Sequence, residues 1–199
     1  SWNIPVMSAS ISGGQSASGR PFITGTLVNA SAEEKTATYT ITPQSGGCTG
    51  TQFTVTVFVK SGATIYEMSL VTCSGIPFEI TPSDGQNGVI TPGTNFRWTA
   101  PTGVGIAGGL TQSTYVPSIF GQLDNTTNVT RTATYRVTAN VPFCGEVASF
   151  TLTVFVNPIV AINTITAVTC SEFTFTVNPT DKVNGIVPAG TTYTWTTPV

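Results

Sequence analysis

The sequence predicts an all-β protein made of tandem antiparallel β-sandwiches, each about 96–97 residues long. Three observations carry that prediction. Landmarks recur at a fixed period, the apolar segments alternate in period two, and no segment shows a capped stripe of 3.6-residue period. The period is read by subtraction. Trp2, Trp98 and Trp195 are spaced 98 − 2 = 96 and 195 − 98 = 97. Cys48 and Cys144 are 144 − 48 = 96 apart, and Cys73 and Cys170 are 170 − 73 = 97 apart.

Taken in order, the chain opens on "SWNIP", whose tryptophan returns in "FRWTAP" and "TWTTP". "KTATYTITPQSGGC" (35–48) follows and recurs as "RTATYRVTANVPFC" (131–144), a strand running into a turn. "FTVTVFV" (53–59) recurs as "FTLTVFV" (150–156). In it Phe53, Val55, Val57 and Val59 face one side and threonines the other, the alternation of a half-buried strand. Gly, Pro, Asn and Ser punctuate the gaps. About seven such strands in about a hundred residues describe an immunoglobulin-like sandwich. Trp2, Trp98 and Trp195 are then its core tryptophans, and Tyr39 and Tyr135 sit before a strand's end as a corner tyrosine does. All five are expected to pack in cores rather than to touch a ligand.

"TVFVK" and "TVFVNP" read as last strands followed by short linkers, with Pro158 interrupting the ladder. On that phase residues 60–157 form one complete repeat, 1–59 the C-terminal portion of a preceding one, and 158–199 the N-terminal portion of a following one. The two end pieces overlap only at the tryptophan strand and together carry about one full set of strands. The front of one chain could therefore complete the back of another, head to tail. A boundary placed without regard to repeats gives the same pattern and is the simpler reading.

Charged residues are 8% of the chain and the formal net charge is −2, which leaves no basic footprint for nucleic acid. The apolar runs are too short, and too broken by threonine, to cross a membrane as helices, so membrane insertion is not expected. The opening residues lack the regions of a signal peptide, which carries no weight if the chain is part of a longer protein.

Histidine is absent, which removes the commonest general base and metal ligand, and no G-x-S-x-G phrase occurs. The adjacent pair Glu33 and Glu34 lies in a polar turn. No catalytic residue, cofactor or metal site is expected. Asp84 and Asp181, in "SDGQNG" and "TDKVNG", offer oxygen ligands to calcium, but one carboxylate per loop is thin and the pattern is that of tight turns.

Four cysteines without a C-x-x-C pair suggest disulfides, hence an oxidising, secreted or surface location. One arrangement pairs Cys73 with Cys144 inside the complete repeat, leaving the partners of Cys48 and Cys170 outside this chain. It closes a loop of 144 − 73 = 71 residues, for which chain entropy gives about 4 kcal/mol. A second pairs Cys48 with Cys73 and Cys144 with Cys170, joining adjacent repeats. A third leaves four buried thiols. Phe58 and Phe155 break the alternation on the threonine side, where each could stiffen a joint between repeats or be covered by a loop of its own repeat. Asn29, Asn125 and Asn128 lie in N-x-S/T triplets, which arise readily by chance in so threonine-rich a chain.

The phrases "TATYTITPQSGGCTGTQFTVTVFV" and "VTCSGIPFEITPSDGQNGVITPGTNFRWTAP" resemble the PKD-like repeats of giant secreted adhesins of gliding bacteria, the SprB type. The resemblance spans essentially the whole chain and is most specific at Cys-Ser-Gly, Trp-x-x-Pro and Thr-Ala-Thr-Tyr. Cys170 departs from it in being followed by Ser-Glu, and Gly-Gly is missing before Cys144. It implies non-catalytic modules strung into an extracellular, cell-surface filament exported by a dedicated secretion apparatus. Their partners are neighbouring repeats and, by extension, surface or polysaccharide ligands and a motility apparatus. A glycan-binding module is the alternative, with the segment 102–122 as the variable loop and Tyr115 and Phe120 as its aromatic contacts.

Overall fold

Period-two alternation with threonine outward and valine, tyrosine or leucine inward produces strands throughout. The computed structural model describes residues 1–197, apart from the side chain of Ala148, and these form strands, turns and bends without a helix. The first stretch carries β1 (Val6–Met7), β2 (Ile11–Gly13), β3 (Leu27–Asn29), β4 (Lys35–Ile41), β5 (Gln44–Ser45), β6 (Cys48–Thr49) and β7 (Phe53–Val59). The central stretch opens with β8 (Thr64–Ile65), β9 (Met68–Cys73), β10 (Phe78–Ile80), β11 (Gly88–Val89) and β12 (Asn95–Trp98). It continues with β13 (Ile106–Gly108), β14 (Gln112–Val116), β15 (Ile119–Gly121), β16 (Leu123–Asn125), β17 (Arg131–Val141) and β18 (Gly145–Asn157). Only β19 (Ala161–Ile162) and β20 (Gly185–Ile186) follow.

In the central repeat five strands form one sheet in the order β14-β12-β17-β18-β9, faced by the pairs β10-β15 and β13-β16. Between the layers, Phe78, Ile119 and Leu123 meet Trp98, Tyr135, Leu152 and Val154, so the alternation seen in the sequence becomes a packed interior. Phe78 meets Tyr135 edge-on at 5.9 Å, and Phe120 meets Trp98 edge-on at 5.4 Å. Such contacts add to area burial. One pair departs from the antiparallel expectation: β9 runs parallel to β18. Both strands run the same way along the module, from the end where Ser61 lies to the end where Asn157 lies, and they are neighbours.

The first stretch has the same design with less of it. Its sheet is β1-β4-β7, with β7 at the edge, and its core is Trp2, Ala37, Tyr39 and Ile41. Tyr39 on β4 corresponds to Tyr135 on β17, and the pairing of β4 with β7 repeats that of β17 with β18. Trp2, Trp98, Tyr39 and Tyr135 are thus core residues. Trp195 is not: it is 86% exposed, because the 199 residues hold no third counterpart of the β17–β18 hairpin for it to pack on. Pro198, of the third Trp-x-x-Pro phrase, lies outside the described residues.

Candidate functional site

No cluster of three or more carboxylates and thiols is placed to hold a metal among the described residues, and the built features concentrate where one repeat meets the next. Each repeat has a proximal end, where the chain arrives, and a distal end, where it leaves. At the distal end of the central repeat Asn125 is buried and fully engaged. Its Nδ2 donates to the carbonyls of Val129 and Val156, both at 2.8 Å, and its Oδ1 accepts from the amide and hydroxyl of Thr127 at 2.9 and 2.8 Å. Asn29 builds the same clamp. Its amide donates to the carbonyls of Glu33 (2.6 Å) and Val59 (2.9 Å), and Ser31 donates back to it. The triplets around Asn29 and Asn125 are therefore clamps tying the distal loop to the last strand. The repetition at a shift of 96 was the signal that could have found them.

The proximal ends carry matching turns. Asp84 Oδ1 accepts from the amide of Ile90 at 2.9 Å, and Asp181 Oδ1 from that of Val187 at 3.0 Å. Gly88 (φ 117°) and Gly185 (φ 119°) close them, since a Cβ there would come within 1.9 and 2.0 Å of the carbonyl oxygens of Thr64 and Ala161. The two aspartates thus organise their own loops.

Across the first junction, Lys60 forms an ion pair with Glu34 of the distal loop, and its Nζ lies 4.6 Å above the ring of Phe143. Lys35 hydrogen-bonds Glu33 and so holds that carboxyl below its ordinary range. Beside Phe143, the thiol of Cys144 lies 3.3 Å from the carbonyl oxygen of Ser61. Across the second junction, Asn128 Nδ2 donates to Asp181 Oδ2 at 2.7 Å.

The expected bond between Cys73 and Cys144 is not made. Cys73 is aligned with Asn157, the last residue of β18, whereas Cys144 immediately precedes Gly145, its first. The 13 residues of β18 put the two at opposite ends of the module, about 40 Å apart at ~3.3 Å per residue, against about 6 Å for a cystine. Nor are the alternative pairs formed: all four cysteines are free, and they are exposed rather than buried. Phe58 and Phe155 lie on the outer faces of β7 and β18. Phe155 is flanked across the sheet by Thr132 and Val71.

The segment 102–122 is not a free loop. It folds into β13, β14 and β15, and its aromatics are employed in packing. The Tyr115 hydroxyl hydrogen-bonds Glu146, with the Arg97 guanidinium 5.2 Å from the ring. Tyr135, beneath this layer, is buried with no partner for its hydroxyl, and burial pushes its pKa up to about 12.

Two module-like units with duplicated clamps, turns and core tyrosines define the fold, and the family follows from sequence comparison. A family model for the PKD-like domain matches residues 1–63 and again 70–160. The chain belongs to the PKD-like domain family. Neither the curated proteins nor the solved structures yielded a match. As a PKD-like protein it is an all-β, immunoglobulin-like module array, and no helix among its described residues is long and apolar enough to cross a membrane.

Proposed function

We propose that this chain is a non-catalytic spacer segment of a large extracellular adhesin filament of the SprB type, serving surface adhesion and gliding motility. In this reading residues 60–157 are one complete module, 1–59 and 158–199 are parts of its neighbours, and the partners are adjacent repeats, a surface or polysaccharide ligand and the export and motility apparatus. The observation that supports it best is polarity. The chain arrives beside Cys144 at one end of the central sandwich and leaves beside Cys73 at the other, so copies built alike add length rather than bulk. PKD-like modules are generally non-catalytic, and the polar groups of the clamps are spent on holding the ends of the sandwich together.

Load along such a filament would be borne by the long β17–β18 ladder, whose strands run the length of the module. A glycan-array screen of the 199-residue chain tests the reading against a binding module. The spacer reading expects no saturable glycan. A specific hit abolished by Phe120→Ala would replace it with the glycan-binding reading.

A further inference from the structure

The complete repeat carries one thiol at each end, and both thiols sit in turns that recur along the chain. At the distal end Cys73 closes β9 and faces outward, its neighbour Thr72 being buried. The amide of Ile76 donates to the Cys73 carbonyl at 3.1 Å, and the Thr72 hydroxyl lies 3.4 and 3.3 Å from the carbonyl oxygens of Cys73 and Ile76. Cys170 stands in the same turn. The amide of Phe173 donates to its carbonyl at 3.2 Å, and the Thr169 hydroxyl lies 3.4 and 3.2 Å from the carbonyl oxygens of Cys170 and Phe173. At the proximal end Cys144 follows Phe143, whose φ of 68° is the left-handed step that Gly47 (φ 82°) takes before Cys48. A phenylalanine is strained there, yet the hairpin tip keeps it.

The two thiols of one repeat are too far apart to meet, but a junction faces the proximal end of one repeat with the distal end of the repeat before it. The first junction shows the proximal half directly, with Cys144 Sγ 3.3 Å from the carbonyl oxygen of Ser61. The central repeat shows the distal half. Cys73 is aligned with Asn157 in the parallel register, and the amide of Ser74 donates to the Asn157 carbonyl at 2.8 Å. At a shift of 157 − 60 = 97 the counterpart of Asn157 is Lys60. A distal cysteine of the preceding repeat therefore stands beside Lys60, one strand spacing of about 4.8 Å away. Cys144 packs on the next residue, Ser61. Both sulfurs converge on the peptide that joins Lys60 to Ser61, which suits the Cα separation of a cystine, about 6 Å.

We propose that each junction of the array carries one disulfide, between the distal cysteine of one repeat and the proximal cysteine of the next. Cys73 bonds the following repeat's counterpart of Cys144, and Cys144 the preceding repeat's counterpart of Cys73. This rests on the spacer reading, in which further repeats precede and follow. The oxidant is a small disulfide such as oxidised glutathione. Two cysteine thiols and one glutathione disulfide exchange to give one cystine and two glutathione thiols, so the glutathione is reduced as the cysteines are oxidised. The bond bypasses the linker, so tension passes from sheet to sheet and adjacent modules cannot swing freely.

The test is a tandem chain in which residues 1–157 are followed by residues 61–199, so that two complete repeats meet at a junction. Three variants all carry Cys48→Ser and Cys170→Ser. The first adds Cys144→Ser in the leading copy and Cys73→Ser in the trailing copy, which keeps the two thiols flanking the new junction. The second adds the reverse pair and keeps the thiols at the two far ends. The third adds both changes in the trailing copy and keeps Cys73 and Cys144 of the leading one. In a glutathione redox buffer, thiol titration and non-reducing peptide mapping should find a cystine in the first variant alone. Near-ultraviolet dichroism of the buried Trp98 and Tyr135 shows that all three are folded. Free thiols in the folded first variant overturn the proposal, and so does a cystine formed equally in the other two. The length of the reduced tandem tests the spacer reading separately. Small-angle scattering should give it a maximum dimension greater than that of the 199-residue chain by about 40 Å, the span of β18. A tandem that lengthens without forming the cystine overturns the disulfide alone, whereas one that does not lengthen overturns the spacer reading and the disulfide with it.

Discussion

Trp98 and Trp195 stand in the same phrase and meet opposite fates, one 4% and the other 86% exposed. The central repeat and the segment after residue 158 share the turn with its closing glycine and the Asp-to-amide hydrogen bond, yet the central one builds a five-stranded sheet and the later one only the two-residue pair β19–β20. The difference teaches where a strand's stability comes from. Local chemistry fixes the turn at Gly185 as well as the one at Gly88, because its partners lie within a few residues or just across β19. A strand such as β9 exists only when β18, about eighty residues later in sequence, is there to accept it. Alternation states which side chains face inward; a long-range partner decides whether there is an inside.

The sharpest way to break that comparison is at the tryptophans. Trp98→Ala should cost about 3–5 kcal/mol, the range for emptying a buried aromatic site. Trp195→Ala should stay within about 0.5 kcal/mol, as a surface substitution does. Urea unfolding of the two variants, followed by dichroism, reads both. Equal losses would mean that the third tryptophan is buried in solution and that the two segments do not differ as described.

The next largest effect is expected at the clamps. Asn125→Ala leaves the carbonyls of Val129 and Val156 without their donor in a buried setting, a loss of about 1–3 kcal/mol. The same change at Asn29 should cost less, since the carbonyl of Glu33 lies in an exposed loop and can turn to water. Denaturant midpoints of the two variants rank them. Asn29→Ala costing as much as Asn125→Ala would show that the two distal ends are equally closed.

Much of this was legible in the sequence, and the omissions have physical causes. The period of 96–97, the inward faces of β4 and β17, and the burial of Tyr39 and Tyr135 all follow from local alternation and self-comparison. The position of Cys144 relative to Cys73 did not, because it depends on strand direction. A single parallel pair, β9 with β18, puts the two thiols at opposite ends. The segment 102–122 read as a loop because of its glycines, but Gly109 and Gly121 are there to let strands pass close to the Tyr135 hydroxyl. The Asn clamps were hidden because N-x-S/T also spells a glycosylation triplet, and only the hydrogen-bond geometry tells the two apart.

Tyr135 offers a pH-dependent version of the comparison. Its folded pKa, raised by burial to about 12, lies above the ordinary value of 10.0. Below pH 10 both states keep the proton and the group has no pH dependence. As pH rises from 10 to about 12 the unfolded chain loses the proton first, so stability should fall through that window. Tyr135→Phe should remove the decline. It should also be neutral or slightly stabilising at neutral pH, because the hydroxyl it deletes is buried without a partner. Urea midpoints at pH 8, 10 and 11.5 in the two proteins decide it, and an undiminished fall in Tyr135→Phe would assign the titration elsewhere.

The smallest stability effect is expected at the first junction, where the two regions touch. Lys60→Ala removes the ion pair to Glu34 and the contact over Phe143, both at the surface. Exposed ion pairs contribute about 0–1 kcal/mol and exposed cation–π contacts about 0.5–1, with screening by salt reducing the ion-pair share further. Neither group lies inside a core, so the urea midpoint of the central repeat should move by less than about 0.5 kcal/mol equivalent. What should change is orientation. Lys60 bridges the distal loop of the first stretch and the proximal turn of the central one, and its loss frees the two to swing. Small-angle scattering should record a broader distribution of interatomic distances for Lys60→Ala than for the parent, and high salt should move the parent partway toward the variant. If scattering is unchanged while stability falls, Lys60 belongs to the folding of one module, and the joint is held by something other than this contact.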